Sequence, residues 1–261
     1  MKLSIITINY NNKVGLQRTF SSVFCQTNKE MEYIVIDGGS VDGSTELIKE
    51  NQDKISYWVS ESDNGIYNAM NKGIRVANGE YLLFLNSGDN LYSENVLQEC
   101  LSELTGEDVI SGNLEIKDEN NLQSYWASPE KVGFSQFILQ TICHPCTFIR
   151  KDAFEKYGFY DEHLRIVSDW KWFLLAFCKY NLTYKKLDFL ISTFYLDGIS
   201  SAVDNTELIS KERNFTLNEY FPTIYPQYQE LFDYKEKYSR ILQNSRWIRL
   251  GKKIGLLNDL D

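Results

Sequence analysis

The sequence predicts an α/β fold in which a mostly parallel sheet is flanked by helices and followed by a helical C-terminal tail. In the first half, β-branched runs alternate with segments of helical period. Strands that alternate with helices of this length imply right-handed crossovers between parallel strands. The chain has 261 residues, of which 43% are hydrophobic. That is enough to form a substantial core.

The elements follow in order along the chain. Strands are predicted at residues 3–9, 31–37, 55–59 and 80–85, and helices at 14–26, from about 42, and at 66–76. The second half is less regular, with strands predicted at 108–116, 122–126 and 147–150 and helices at 134–142 and 169–180. Charged and aromatic helical segments fill the chain after residue 200.

Composition narrows the class of protein. The formal net charge of −9 argues against a protein that binds nucleic acid through bulk positive charge. The 17 tyrosines offer flat faces and hydroxyl groups, which suit sugars and bases. Five cysteines are an odd number scattered through a long chain, which favours a reducing, cytoplasmic setting over a disulfide framework. The N-terminal segment is a poor signal peptide, and no apolar stretch approaches the length of a bilayer span.

Three polar corners follow the first, second and fourth predicted strands, at residues 9–12, 37–40 and 86–89. In parallel sheets, ligands bind beyond the carboxyl ends of the strands, so these corners should meet at one edge. The glycine-rich run from Asp37 to Ser44 is not a phosphate-binding P-loop, because Ser44 stands where that motif needs Lys. Asp42 or Ser44 is expected to cap the next helix, whereas Asp37 could accept hydrogen bonds from a base or ribose.

Two further motifs carry reactive groups. Cys143 and Cys146 form a lone CxxC, and packing of small buried side chains is the favoured interpretation because a structural zinc site needs four ligands. His144, between them, is one of two histidines and precedes a strand. Asp169 begins an apolar helix, either as an acid that the helix dipole favours or as a general base held by a packed helix. The pattern does not separate these two interpretations.

The tail ends in a basic amphipathic segment in which Arg246 and Lys252 alternate with Trp247 and Ile254. Such a helix can rest on an anionic membrane, and a solvated helix that caps the domain is the simpler interpretation.

The chain resembles the family 2 glycosyltransferases of the GT-A (Rossmann-like) fold, in particular bacterial enzymes of capsule, O-antigen and colanic-acid-like polysaccharide assembly. The resemblance covers about the first 200 residues. The segment SIITINYN is similar to the opening strand of the family, and DGGSVDGS to its D-D-G-S-x-D-G-T loop, with Gly38 in place of the second Asp. DNGIYNAMNKG resembles the family's G-x-x-x-A-R-N-x-G segment, with Met70 in place of Arg, and Asp169-Trp170 stands at its E-D-W motif. FLNSGD occupies the place of a D-x-D-D cluster and retains Asp89.

The resemblance implies inverting transfer of a sugar, of hexosyltransferase type, from a nucleoside-diphosphate sugar to a saccharide acceptor, with UDP the favoured nucleotide and GDP next. Residues 1–112 would form the nucleotide-sugar half, 113–203 the acceptor half of the same domain, and 204–261 a helical extension. Asp169 would be the catalytic base and Asp89 the ligand of Mg²⁺ or Mn²⁺. The donor would be bound by Tyr10, Asn11, Asp37, Asn71, Asn86 and Ser87, with His144, Trp170 and Gly198 at the border of the site.

The expected partners are a lipid-linked saccharide acceptor, a peripheral membrane contact through the C-terminal helix and a second copy of the chain. No nucleic acid partner is expected, and the expected location is the cytoplasm, at the inner face of the membrane. Two alternatives stay open. The depleted acidic cluster fits a nonenzymatic sugar-nucleotide-binding subunit, and a sugar nucleotidyltransferase is disfavoured because residues 9–13 supply no basic, glycine-rich triphosphate loop.

Overall fold

A computed structural model describes residues 1–118, 123–196 and 205–244, with side chains as far as residue 240. In these ranges the strands are β1 Leu3–Asn9, β2 Met31–Asp37, β3 Tyr57–Ser60, β4 Tyr81–Phe84, β5 Asn90–Leu91, β6 Val109–Lys117, β7 Gln123–Trp126, β8 Thr147–Arg150 and β9 Tyr184–Tyr195. The helices are α1 Lys13–Phe24, α2 Ser44–Glu50, α3 Ile66–Val76, α4 Val96–Glu103, α5 Phe134–Leu139, α6 Lys151–Tyr157, α7 Ser168–Cys178, α8 Thr206–Tyr220 and α9 Ile224–Asn244.

The strands form one sheet in the order β3-β2-β1-β4-β8-β6-β9-β5, and β7 pairs with β6. The first four strands along the chain pair in parallel, as the crossover pattern predicts. From β8 onward the pairing is antiparallel except between β6 and β9. The predicted α/β fold with helices around the sheet is confirmed, and the switch in strand direction brings the second half of the chain beside β4.

Most predicted elements form, with shifted ends. The third strand begins at Tyr57 and not at residue 55, because Gln52–Lys54 form a 3₁₀ turn first. The helix predicted at 134–142 ends at Leu139. The predicted cap of α2 is different in detail, since Gly43 is the N-cap residue and Asp42 Oδ1 instead accepts the N–H of Ser44 at 3.0 Å.

Side chains of the surrounding helices cover both faces of the sheet. On one face, alternate residues of the strands, such as Ile5 and Val35, pack with the apolar sides of α1, α2 and α4. On the other face, α3 packs on β1 and β2, and Phe84 of β4 contacts the rings of Phe154 and Tyr160. Because both faces are covered, polar groups of the strands are available to ligands only where the strands end.

The chain divides into two compact units, Met1–Ile209 and Ser210–Asp261. In the second unit, the hydroxyl of Tyr225 donates to Oδ1 of Asn214 at 2.6 Å and links α9 to α8. The predicted division of the first unit at residue 112 stays a prediction, and β6 runs through that position. The basic segment after residue 244 lies outside the described residues. No helix in the described part of the chain has the length and apolar character to cross a membrane.

Candidate active site

Asp169 lies in the first turn of α7, and its carboxylate is bound from two sides. The hydroxyl of Tyr67 donates to Oδ1 at 2.8 Å, and Nδ1 of His144 lies 3.3 Å from Oδ2. Burial raises the pKa of Asp169, but the hydrogen bonds and charge attraction of His144 and the bond from Tyr67 outweigh it and hold the pKa below its usual value. The side chain is 18% exposed. Asp169 is thus ionised at neutral pH and still accessible to a hydroxyl group.

Helix α3 supplies the tyrosine and fixes its position. Asn71, one turn after Tyr67, is 1% exposed and its Nδ2 donates to the carbonyl of Tyr160 at 2.9 Å and to Glu162 at 2.7 Å. Oδ1 of Asn71 in turn accepts the N–H of Tyr160 at 3.1 Å. These bonds join α3 to the loop that precedes α7, so they set the distance between Tyr67 and Asp169.

Tyr67 is a hydrogen-bond donor in this arrangement. Burial, followed by the charge of Asp169, raises its pKa well above the usual value. The hydroxyl therefore keeps its proton, and it also lies within bonding distance of the carbonyl oxygen of Ile166.

His144 connects Asp169 to the polar corner after β4. Nδ2 of Asn86 lies 3.2 Å from Nε2 of His144. The ring of His144 therefore lies between the amide of Asn86 and the carboxylate of Asp169. His144 begins the 3₁₀ turn His144–Cys146 directly before β8, the strand that pairs with β4. The pairing of β4 with β8 therefore brings the two polar segments together.

The corner Asn86–Asp89 is a tight turn joined to α1. The N–H of Asp89 donates to the carbonyl of Asn86 at 3.0 Å, and Gly88 has φ 111°, a conformation that L residues rarely adopt. Thr19 of α1 accepts the N–H of Gly88 at 3.0 Å and donates to the carbonyl of Asp89 at 2.8 Å. Asn12, the N-cap residue of α1, donates to the carbonyl of Ser87 at 3.1 Å. These bonds hold the backbone that carries the Asp89 carboxylate.

The charges of Asp89 and Asp169 both affect the pKa of the Cys143 thiol. Burial, and then the charges of Asp169 and Asp89, raise the pKa of Cys143 to about 12. The thiol is therefore protonated and not a nucleophile at neutral pH. The two acids are linked by contacts, since His144 reaches both Asp169 and Asn86, and Asn86 is in the same turn as Asp89. The five cysteines are all free, and of the two in CxxC, Cys146 is fully buried whereas Cys143 is partly exposed.

The corner fits a divalent cation that is shared with a ligand. Asp89 offers a carboxylate, and Oδ1 of Asn86 is buried without a hydrogen-bond partner in the described part of the chain. Oxygen ligands of this kind suit Mg²⁺ or Mn²⁺. No group of three or more His, Cys, Asp or Glu in the described ranges could hold a metal by itself. The remaining ligands would have to come from a bound diphosphate and water.

Asp37, at the end of β2, is enclosed by protein donors. Oδ1 accepts from Asn9 at 2.7 Å and from the hydroxyl of Ser40 at 2.6 Å, and Oδ2 accepts from Ser60 at 2.6 Å and from the N–H of Ser40 at 3.0 Å. Burial raises its pKa, but these bonds together lower the pKa below the usual value. Its predicted contact with a nucleotide stays a prediction, and the structure shows a role in holding three strand ends together.

The loop after β1 contributes an exposed ring. Tyr10 is 67% exposed at the edge of the sheet. Asn11 next to it has φ 48°, its N–H donates to Ser40 Oγ at 2.8 Å, and its Oδ1 accepts the N–H of Val41 at 2.9 Å. The loops after β1 and β2 are therefore joined, and Tyr10 presents its ring beside them.

The structure brings some of the predicted site residues together and not others. Asp169, His144, Asn86 and Asp89 share one region, with Ser87 in the same corner. Trp170 is 2% exposed and its indole N–H donates to the carbonyl of Phe137 at 2.8 Å, so its ring joins α7 to the C-terminal part of α5.

Gly198 lies outside the described residues. Sequence reasoning missed Tyr67, although it lies four residues before Asn71 in a quoted motif and so shares its helix face.

Comparison with known proteins identifies the family of the chain. The profile of glycosyl transferase family 2 matches residues 4–158. An uncharacterized glycosyltransferase of Mycobacterium tuberculosis is 32% identical over 182 residues, which cover 67% of this chain and 68% of that protein. A PGL/p-HBAD biosynthesis glycosyltransferase of Mycobacterium bovis is 25% identical over 215 residues, which cover 80% of this chain and 82% of that protein.

Solved structures share the fold. TarS residues 1–349 of S. aureus in complex with UDP-GlcNAc has a TM-score of 0.63 at 19% identity and covers 80% of this chain, which spans 64% of that one. The mannosyltransferase PcManGT of Pyrobaculum calidifontis, in complex with GDP-Man and Mn²⁺, has a TM-score of 0.57 at 12% identity, with 77% and 58% covered. At these identities the likeness concerns the fold, whereas the profile match spans more than half of the chain. The chain belongs to glycosyltransferase family 2.

Proposed function

We propose that the protein is an inverting glycosyltransferase of hexosyltransferase type that moves a sugar from a nucleoside diphosphate to a hydroxyl of a saccharide acceptor. The observation that carries the proposal is the set of hydrogen bonds at Asp169. An accessible, ionised carboxylate is bound by Tyr67 and, through His144, by the corner that carries Asp89. A base and a leaving-group site are thereby held in one polar region.

Asp169 acts as the general base. The acceptor hydroxyl attacks the anomeric carbon from the side opposite the diphosphate, and its proton passes to the carboxylate as the new carbon–oxygen bond forms. The bond from the anomeric carbon to the diphosphate breaks at the same time, and the diphosphate leaves with the electron pair. Tyr67 and His144 keep the carboxylate oriented, because each binds a different oxygen.

Asp89 and the amide oxygen of Asn86 would hold Mg²⁺ or Mn²⁺ together with the donor diphosphate. When bound, the cation supplies positive charge that offsets the charge of the leaving group. The corner itself is kept in place by Thr19 and Asn12 of the α1 segment. Tyr10 and Asn11 would contact the nucleotide at the neighbouring strand end, next to Ser87.

UDP is the favoured nucleotide and GDP the next. TarS has been solved with UDP and UDP-GlcNAc and PcManGT with GDP-Man, which supports a nucleoside-diphosphate sugar as donor. The acceptor is proposed to be a lipid-linked saccharide in the assembly of a bacterial cell-surface polysaccharide, such as a colanic-acid-type polymer. A cytoplasmic setting at the inner face of the membrane is part of the proposal and rests on the five free thiols.

The test is thermal unfolding of the pure protein with UDP, GDP and dTDP, each with and without Mn²⁺, followed by a donor-hydrolysis assay with UDP-GlcNAc. A ligand that binds the native state raises the apparent stability. We expect a rise with UDP that requires Mn²⁺, and slow release of UDP from the sugar nucleotide. A metal-dependent rise without any release of UDP from a panel of UDP-sugars would favour a nonenzymatic binding subunit.

A further inference from the structure

Three neighbouring strand ends form a narrow slot at the edge of the sheet. β1 and β2 pair in register up to Asn9 opposite Asp37, and β2 and β3 up to Asp37 opposite Ser60. The ladder continues into the loops, since the N–H of Gly38 donates to the carbonyl of Asn9 at 2.9 Å and that of Glu61 to the carbonyl of Asp37 at 3.0 Å. The loops after these strands therefore leave the sheet side by side.

A carboxylate fills the space of the missing side chain at Gly38. A Cβ atom at this position would lie 2.6 Å from Oδ2 of Asp63 and 3.1 Å from Cδ2 of Tyr10. The backbone places the two loops this close, because a Cβ at Gly39 would lie 3.2 Å from the backbone nitrogen of Ser62. The glycine of DGGS, where D-D-G-S has its second acid, therefore has an acid beside it from another segment.

Asp37 and Asp63 differ in how many of their carboxylate oxygens are bound by donors of the described part of the chain. Both oxygens of Asp37 accept hydrogen bonds and its side chain is fully buried. Asp63 is half-buried, and its Oδ1 accepts the N–H of Gly65 at 2.9 Å. Among the described residues no donor binds its Oδ2, which lies next to the exposed ring of Tyr10. A flat ring and a carboxylate oxygen at one slot suit a planar group that donates an N–H.

We propose that Asp63 selects the base of the donor nucleotide by accepting its ring N–H while the base lies against Tyr10. This inference rests on the proposed function, which supplies the nucleotide. An ionised carboxylate only accepts hydrogen bonds. Uracil, thymine and guanine carry an N–H in the ring, whereas cytosine and adenine present a ring nitrogen with a lone pair at the corresponding position. Asp63 therefore favours the first class and repels the second.

The test is calorimetric titration of the full-length protein with UDP, GDP, CDP and ADP in the presence of Mg²⁺. We expect the wild type to bind UDP more tightly than CDP by about tenfold or more, the contribution of one charge-assisted hydrogen bond. Asp63→Asn should reduce the ratio of UDP affinity to CDP affinity to near one, chiefly by weakening the binding of UDP. The amide of Asn can donate to cytosine or accept from uracil, so CDP binding also reports that the variant is folded.

Two further variants make the test specific. Gly38→Ala places a methyl group against Oδ2 of Asp63, so it should lower the UDP to CDP ratio as Asp63→Asn does. Glu61→Gln removes a neighbouring exposed acid that pairs with Lys72 and should leave the ratio unchanged. A restored ratio in the double variant Gly38→Asp, Asp63→Ala would show that position 38 and position 63 provide the same group.

The outcomes separate this inference from the proposed function. Equal binding of UDP and CDP by the wild type, or an unchanged ratio of their affinities in Asp63→Asn, would overturn the role of Asp63. If UDP binding still required the metal, the proposed donor site would stand. Absence of binding by every nucleotide would overturn both.

Discussion

Two carboxylates, Asp37 and Asp169, illustrate how the same group serves different purposes in the two halves of the site. Asp37 accepts at least two hydrogen bonds on each oxygen and has no exposed surface. Asp169 is bound once on each oxygen by the side chains of Tyr67 and His144 and is 18% exposed. The pKa of each is lowered although burial opposes it.

The number of hydrogen-bond donors on each carboxylate distinguishes a structural role for Asp37 from a chemical role for Asp169. A carboxylate whose lone pairs are all occupied can join loops but has no capacity to accept a further proton or ligand without losing a bond. Asp169 keeps that capacity, because its oxygens are oriented but not saturated. The comparison predicts that substitution of Asp169 affects turnover, whereas substitution of Asp37 affects folding.

The largest effect is expected for Asp169→Asn. Loss of a general base lowers turnover by about 10²–10⁴-fold, and donor affinity should not change. Initial rates of UDP release with acceptor present, together with donor titration, measure the two quantities. The matched control is Asp161→Asn, which removes a carboxylate bonded to Lys171 at 2.7 Å on the same segment. Normal turnover in Asp169→Asn would show that the base is another group.

Asp89→Asn should lower turnover by about a hundredfold, since the stabilisation that a cation gives to a leaving group amounts to several kcal/mol. The amide is a weaker ligand than the carboxylate, so the variant should also require a higher concentration of Mn²⁺ for half-maximal rate. A titration of rate against Mn²⁺ measures this. If the variant and the wild type had the same metal dependence, Asp89 would not be a ligand.

Asp37→Asn should destabilise the protein by about 2–3 kcal/mol at pH 7, because buried donors of the strand ends lose an ionised acceptor. The folded pKa of Asp37 lies below its ordinary value of 3.8, so this stabilisation is present above pH 3.8 and is lost as the pH falls through the folded pKa. Urea unfolding at a series of pH values should therefore show a constant difference in free energy of unfolding between the wild type and Asp37→Asn from pH 7 to pH 5. Below pH 3.8 this difference should become smaller. If this difference in free energy of unfolding did not decrease in acid, the ionised state of Asp37 would be contradicted.

Tyr67→Phe is expected to have the smallest effect, about tenfold on kcat, as one hydrogen bond to a charged group is lost. The bond lowers the pKa of Asp169, so its loss should shift the acid limb of the pH–rate profile to higher pH, with the donor KM unchanged. Tyr160→Phe is the matched control, because the buried hydroxyl of Tyr160 has no hydrogen-bond partner in the described part of the chain. An unshifted acid limb in Tyr67→Phe would remove its role at the base.

The order of strands and helices could be predicted because each depends on local periodicity. The first four strands form at or within two residues of the predicted positions, and the polar corners follow three of them. The strands β5 and β9 and the helices α4 and α6 were not predicted. β5 has two residues and depends on its pairing with β9, so no local pattern indicates it.

The site was predicted in part. Asp169, His144, Asn86 and Asp89 were chosen from motifs, and the structure brings them into one region. Tyr67 was not chosen, since its hydroxyl becomes significant only through its bond to Asp169, which lies 102 residues further along the chain. Asp63 was missed for the same reason, because nothing local to it shows that Gly38 lies opposite.

The sequence by itself determined the alternation of strands and helices, the polar corners at the carboxyl ends of the strands and the acid in the first turn of α7. These features follow from the spacing of apolar residues and from turn chemistry, both of which act over a few neighbouring residues. Only the tertiary structure decided which carboxylate is enclosed and which is accessible. That outcome depends on hydrogen-bond donors from other segments, such as Asn9 and Ser60 around Asp37 and Tyr67 beside Asp169, and their distances are set by packing of the whole domain.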